Sequence, residues 1–396
     1  MTNQSKNNSV LNSNGDVLSF KQISLLSLMS VLFALMLPLS AIISPATDFL
    51  SWIVCIVFGV WIMATSRKFS SIILLGFAVT FFASYTGSAA SVALVLGIVS
   101  ACGMYSALIS SAKGKQIILL ILIPAITLAG TYVITASLEL ALFSLALFLP
   151  SLVMGIITRR GGGRVTSIAG FAITAMLELC ALLIVAMYIF YGSVSFEIIN
   201  EAAGHFTALT EQLLTFAIES ASEAALTEDI SLFITEIAVE TTNMLFGLTC
   251  MIAVAVGFFA QKLQHTVFER FELEALQNQS GAPITASVAA ALVYIAAYIC
   301  SFTTGASSAP SFVAVVAGNI SFILLPLLLC VGFGFMASLP RRLGFLAVLA
   351  WIGTAAASYL LSSSIIDIIA LVGAFYTLIV SIDLWAGEHY SKGGDQ

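Results

Sequence analysis

The chain has 396 residues, of which 60% are apolar and only 9% charged, whereas a soluble domain carries roughly a quarter charged residues. Its formal net charge is −6, from 14 Lys and Arg against 20 Asp and Glu. This composition excludes an ordinary water-soluble domain and leaves no basic face for nucleic acid, so the solvent for most of the sequence is a lipid bilayer.

A hydrocarbon core about 30 Å thick takes roughly 20 apolar residues in a helix, because only internally paired backbone can cross it. The stretch Met1 to Ser19 is rich in Asn and Ser and has too little apolar surface to order itself, so residues 1–20 read as a disordered cytoplasmic N-terminus. Twelve spans follow. They are Ile23 to Ile43, Phe49 to Thr65, Phe69 to Ser84, Ser88 to Ser110, Gln116 to Ala136, Leu138 to Ile157, Thr166 to Tyr191, Thr241 to Ala260, Ile284 to Phe302, Phe312 to Ala337, Leu343 to Leu361 and Ile365 to Leu384. The first reads as a retained helix and not as a cleaved signal, because no small-x-small site follows it. The expected fold class is therefore all-α, a polytopic transmembrane helical bundle of about 12 spans.

Charge supports both the count and the direction. With Lys6 and Lys21 on the cytoplasmic side, alternating spans place Arg67 and Lys68, Lys113 and Lys115, Arg159, Arg160 and Arg164, Lys262 and Arg270, Arg341 and Arg342, and Lys392 there too. A miscounted span would put a basic cluster outside. The expectation is a multi-pass protein of the bacterial plasma membrane with both termini cytoplasmic, residues 21–191 holding spans one to seven and residues 241–387 holding spans eight to twelve, with a cytoplasmic tail at 388–396.

Between the two sets of spans, residues 192–240 are polar but periodic. Phe196, Ile199, Phe206, Leu209, Leu213 and Phe216 recur at helical steps, and a restart at Thr227 places Glu228 and Asp229 in a first turn. This pattern predicts an extracytoplasmic helical hairpin. Its Glu197, Glu201, Glu211, Glu219, Glu223, Glu228, Asp229, Glu236 and Glu240 face no Lys or Arg within it. Two readings follow: a solvated cap packed on the outer helix ends, or a funnel that concentrates cationic solutes. On the inner side, Val267, Phe268, Phe271 and Leu276 alternate with Glu269, Arg270, Glu272 and Glu274, which predicts an amphipathic interfacial connector over residues 263–283, or a dock for a cytoplasmic partner.

Glu178 is the sharpest candidate for chemistry. It lies mid-span, where a charged side chain costs roughly 2.5–3.5 kcal/mol, and no base stands at comparable depth in another span. It must be protonated, hydrogen-bonded, or face a hydrated cavity that holds a cation; a small-molecule or ion-coupling role and a helix-packing role both satisfy that requirement. Asp48, Glu139 and Asp367 fall in first turns, where the helix dipole favours them, behind Thr47, Ser137 and Ser364 as caps. Asp383 stands at the opposite end of its span, the wrong end for the dipole, and is the second candidate for ion or ligand coupling. Pro150 with Gly155, and Pro326 with Gly332, are the hinge candidates. The six cysteines all lie inside spans with no CxxC pair, which fits apolar packing. No HExxH, Walker A or triad pattern is present, so neither catalysis, a metal nor a cofactor is expected.

The stretch Leu149-Pro150-Ser151-Leu152-Val153-Met154-Gly155-Ile156-Ile157-Thr158-Arg159-Arg160 resembles the YybS-like family of bacterial membrane proteins. The span after it, the Glu-studded segment Phe196 to Glu240 and the re-entry ending at Gln261-Lys262 are similar in order to that family. The family looks distantly like the substrate-binding subunits of energy-coupling-factor transporters, which implies solute capture within a helical bundle. The expected function is therefore permease-like or solute-binding, against a non-transporting envelope scaffold that recruits partners.

Overall fold

The computed structural model describes residues 20–35, 89–112, 117–193, 195–221, 228–280, 284–304, 312–343, 346–360 and 364–393. The expected second and third spans lie outside the described residues, as do Asp48 and Thr47. Every regular element among the described residues is a helix: α1 (Phe20–Ala34), α2 (Ala89–Ser111), α3 (Ile117–Thr135), α4 (Leu138–Leu145), α5 (Phe148–Arg159), α6 (Arg164–Tyr191), α7 (Phe196–Ala221), α8 (Glu228–Asn243), α9 (Leu245–Arg270), α10 (Glu274–Ser280), α11 (Val288–Thr304), α12 (Phe312–Leu343), α13 (Leu346–Leu360) and α14 (Ile365–Gly393). Four of them are long and apolar enough to cross a membrane, over Arg164–Ile189, Leu245–Arg270, Phe312–Leu339 and Ile365–Ile382. Shorter apolar helices include Gln22–Ala34, Gly97–Ser111, Leu120–Thr135, Phe148–Arg159 and Val288–Cys300.

The helix ends follow local chemistry. Ser137 caps α4 by accepting the Leu140 N–H at 3.2 Å, and Ser287 caps α11 by accepting that of Ala290 at 3.1 Å. Ser364 accepts the Ile366 N–H at 3.1 Å, while the Asp367 carboxylate accepts the Ser364 backbone N–H, a reciprocal box at the start of α14. Helix α5 stops at Gly161, whose φ of 84° only glycine adopts freely; the Gly162 N–H then returns to the Ile157 carbonyl at 2.9 Å. The expected sixth span does not run as one helix. It breaks at Ala146–Leu147, because Pro150 has no N–H for the Ala146 carbonyl and sits in the first turn of α5, where that loss is harmless.

The chain forms two compact units, one of Met1–Leu179 with Ala253–Pro283 and one of Cys180–Ile252 with Ile284–Gln396. In the first, α2 is buried or half-buried at every described side chain from residue 97 to 111 and packs against α1 and α5. Its backbone contacts are too close for any side chain. A Cβ on Gly155 would stand 2.8 Å from the Ser106 carbonyl and 2.7 Å from the Ile109 Cβ, and one on Gly103 would meet the Ala260 carbonyl at 2.8 Å. The pairs Cys102 with Leu147 and Ser110 with Gly155 show that α2 and α5 run in the same direction.

The expected interfacial connector at 263–283 is corrected here. Helix α9 continues through it to Arg270, with Gln261, Leu263, Gln264, His265, Thr266, Val267 and Phe268 all buried. Leu273 and Leu276 close the same core. Leu263 and Val267 extend the apolar face of α9 by one turn, so a continued helix buries what an interfacial one would leave half wet. The helix ends instead at Glu272, φ 56°, where the Leu273 N–H bonds the Phe268 carbonyl at 3.0 Å.

In the second unit, α11, α12 and α14 surround a core of Ala291, Tyr294, Leu325, Leu328, Ala370 and Ala374. Gly332 of α12 packs on the Ile369 carbonyl, and Gly373 of α14 packs on the backbone of Leu328 and Gly332. Phe335 and Tyr376 face each other at 4.6 Å, so α12 and α14 are parallel. Helices α7 and α8 pack together through a 2.8 Å bond between the Thr207 and Thr242 hydroxyls. Part of the apolar stripe expected on α7, at Ile199, Leu209 and Leu213, is exposed, as are Leu232 and Phe233 of α8.

Substituting Gly155→Leu is expected to destabilise the protein by about 1–3 kcal/mol or prevent its folding, through overpacking against α2. Thermal unfolding in detergent checks this, with Gly163→Ala, which meets nothing within 4 Å, as the neutral control.

Candidate functional site

Helix α6 sets Phe171, Ala175 and Glu178 on one face by their four- and three-residue spacing. Phe171 and Ala175 pack on Cys102 of α2, Met154 of α5 and Ala260 of α9. One turn further, Glu178 is half-buried, and its Oε2 is fully enclosed with no hydrogen-bond partner. The Cys102 thiol lies within electrostatic range of it. That thiol donates to the Leu147 carbonyl at 3.4 Å, and the buried Ser151 hydroxyl donates to the same carbonyl at 2.6 Å. Leu147 is the N-cap residue of α5.

Among the described residues no base compensates the carboxylate. Arg164 lies 14 residues earlier on the same helix, about 21 Å away along its axis. It is engaged there, with Nε donating to Gln261 Oε1 at 2.8 Å and its guanidinium 5.1 Å over the Phe258 ring. An enclosed, unpartnered carboxylate oxygen costs folding free energy, so the position is held against its own local preference.

A second polar group in this unit is fully satisfied. Gln264 of α9, wholly buried, donates through Nε2 to Ser110 Oγ at 2.9 Å and lies 3.5 Å from Thr158 Oγ1. Ser110 donates to the Ser106 and Gly155 carbonyls at 2.8 and 3.1 Å, and the Thr158 and Ser167 hydroxyls meet at 3.2 Å. This network ties α2, α5, α6 and α9 together. Gln264 fell within the connector expected at 263–283 and was not singled out from the sequence. The readable signal was two uncharged amides, Gln261 and Gln264, three residues apart where the apolar stretch of α9 gives way to polar residues.

Asn319 plays the equivalent part in the second unit. Helices α8 and α9 are separated only by Met244, and the Asn319 side chain serves both ends of that break. Oδ1 accepts the Gly247 N–H at 2.6 Å, and Nδ2 donates to the Asn243 carbonyl at 2.9 Å. Gly247 lets α12 come this close, its Cβ position lying 2.8 Å from Asn319 Cα.

The other sequence candidates separate. Asp383 follows directly on the apolar stretch that closes at Ile382 in α14; its side chain lies outside the described residues. Pro150 starts α5, whereas Gly155 and Gly332 are points of close helix contact. Pro326 lies inside α12 without ending it. Among the described residues Cys102, Cys180, Cys250, Cys300 and Cys330 form no disulfide, and no group of three or more His, Cys, Asp or Glu is placed to hold a metal.

No family model, curated protein or solved structure matches the chain.

Asn319→Leu removes both bonds at the α8–α9 junction and is expected to cost about 1–3 kcal/mol. Faster hydrogen exchange at Gly247, with α5 unchanged, is the local signature. Uniform exchange across both regions would argue against the clamp.

Proposed function

We propose that this chain is a twelve-span membrane protein that binds or translocates a small solute, with Glu178 as its intramembrane polar site. The carrying observation is the enclosed, unpartnered Glu178 oxygen within electrostatic range of the Cys102 thiol. A carboxylate without a base at its depth suits a proton, a cation or a cationic group on a solute. The resemblance of the Leu149 to Arg160 stretch to the YybS-like family agrees with solute capture.

The parallel α12–α14 pair supports alternating spans, because the single apolar helix α13 lies between them and must return in the opposite direction; α2 and α5 are parallel with α3 and the short α4 between them. On that map the basic clusters and both termini are cytoplasmic, and α7 and α8 form an extracytoplasmic hairpin. Proline pairs with glycine at Pro150–Gly155 and Pro326–Gly332 would then flank the moving parts, any motion having to carry the glycine contacts with it. The second reading, a scaffold that recruits partners, draws support from the exposed Leu209, Leu213, Leu232 and Phe233 on α7 and α8. Neither reading invokes catalysis.

Two measurements test these proposals. Glu178→Leu is expected to raise thermal stability in detergent by about 1–3 kcal/mol, by removing a buried unpartnered group. In a cysteine-free background Glu178→Cys is expected to react with a water-borne thiol reagent. A destabilised Leu variant and an inert cysteine together mean a structural hydrogen bond and sink the site. For topology, an impermeant reagent added outside cells is expected to label Leu213→Cys and spare Arg160→Cys; labelling of both from one side refutes the span count.

A further inference from the structure

The core of the second unit contains a polar group that Glu178 does not explain. Tyr294 is wholly buried, and its hydroxyl has no hydrogen-bond partner. Tyr298 stacks beside it, ring centroids 6.4 Å apart. On α14, Asp367, Ala370 and Ala374 share one face by their three- and four-residue spacing, and both alanines pack in the core that holds Tyr294. The Asp367 carboxylate is accordingly within electrostatic range of the Tyr294 hydroxyl. Its Ser364 N–H bond orients it and leaves further lone pairs unused.

Helix α12 supplies two more oxygens within about a turn and a half of this level. Its register with α14 is 41 residues, from Gly332 on Gly373 (373 − 332 = 41) and Phe335 on Tyr376 (376 − 335 = 41), so Asp367 stands level with Pro326. Proline has no N–H to give the carbonyl four residues back, which here is that of Phe322. One turn before Leu325, on the face that carries Leu325 and Leu328 into the core, the Ser321 Oγ is also buried without a partner.

We propose that Asp367, Tyr294, the Phe322 carbonyl released by Pro326 and Ser321 form a binding site for a sodium-sized monovalent cation. One carboxylate balances one positive charge, and the remaining donors are neutral hard oxygens of the kind that replace the hydration shell of an alkali ion. Buried hydroxyls and a freed carbonyl in an apolar core are costly alone and are satisfied together by a single ion. Small walls at Ala291, Ala370 and Ala374 favour a bare ion over an organic ammonium group. This site is separate from the one at Glu178 and stands or falls without it.

The test uses the full chain in detergent with choline chloride as the reference salt. Replacing choline by sodium at constant ionic strength is expected to raise Tm saturably, with potassium giving a smaller shift. Tyr294→Phe keeps the ring packing and Asp367→Asn keeps the shape; each is expected to weaken the apparent sodium affinity about tenfold or more. Pro326→Ala returns an N–H to the Phe322 carbonyl and is expected to raise stability in choline while reducing the sodium response. The proposal is overturned if sodium and choline act alike, if both Tyr294→Phe and Asp367→Asn keep the full sodium shift, or if the stabilisation follows pH and not sodium, which would put a proton in the site.

Discussion

Helices that are apolar on every side cannot choose their neighbours by the hydrophobic effect, since lipid tails are as good a partner as leucine. That constraint governs this protein. Its helices select one another through close backbone contact at glycine and through a few hydroxyl and amide bonds. Gly155 and Gly103 let α2 lie against α5 and α9, and Gly332 and Gly373 do the same for α12 and α14. Gln264 and Asn319 add bonds that hold only in one register, so they exclude sliding arrangements that packing alone would tolerate.

The polar residues then fall into two classes. Gln264, Ser110, Thr158 and Asn319 are satisfied, and their consequence is rigidity. Glu178, Tyr294 and Ser321 each have an enclosed oxygen without a partner, which costs about 1–3 kcal/mol apiece in the folded chain. Glu178 lies within electrostatic range of Cys102, whose thiol bonds the Leu147 carbonyl at the N-terminus of α5. Asp367 lies within electrostatic range of Tyr294 and stands level with Pro326 inside the continuous helix α12.

Much of the fold was legible in residue order. The apolar stretch Ser88 to Ser110 is a helix over Ala89–Ser111 and Thr166 to Tyr191 one over Arg164–Tyr191, and Ser137 and Ser364 cap their helices as their positions indicated. The errors have a common origin. Residues 263–283 look amphipathic along the chain, but Phe268, Leu273 and Leu276 are buried by α1 and α2, which are far away in sequence. Gly155 and Gly332, read as hinge candidates from their own helices, are also points of close helix contact, which only the neighbour that each touches reveals.

Hydropathy, helix caps and the carboxylate of Glu178 in the middle of an apolar helix were determined by the sequence itself, because each depends on residues within one or two turns. Tertiary structure alone decided which oxygens lack a partner, that Gln264 and Asn319 are clamps, and that Pro326 lies level with Asp367. These depend on register between segments tens of residues apart, and in apolar helices register is written in the steric fit of facing surfaces, a property that no single helix carries.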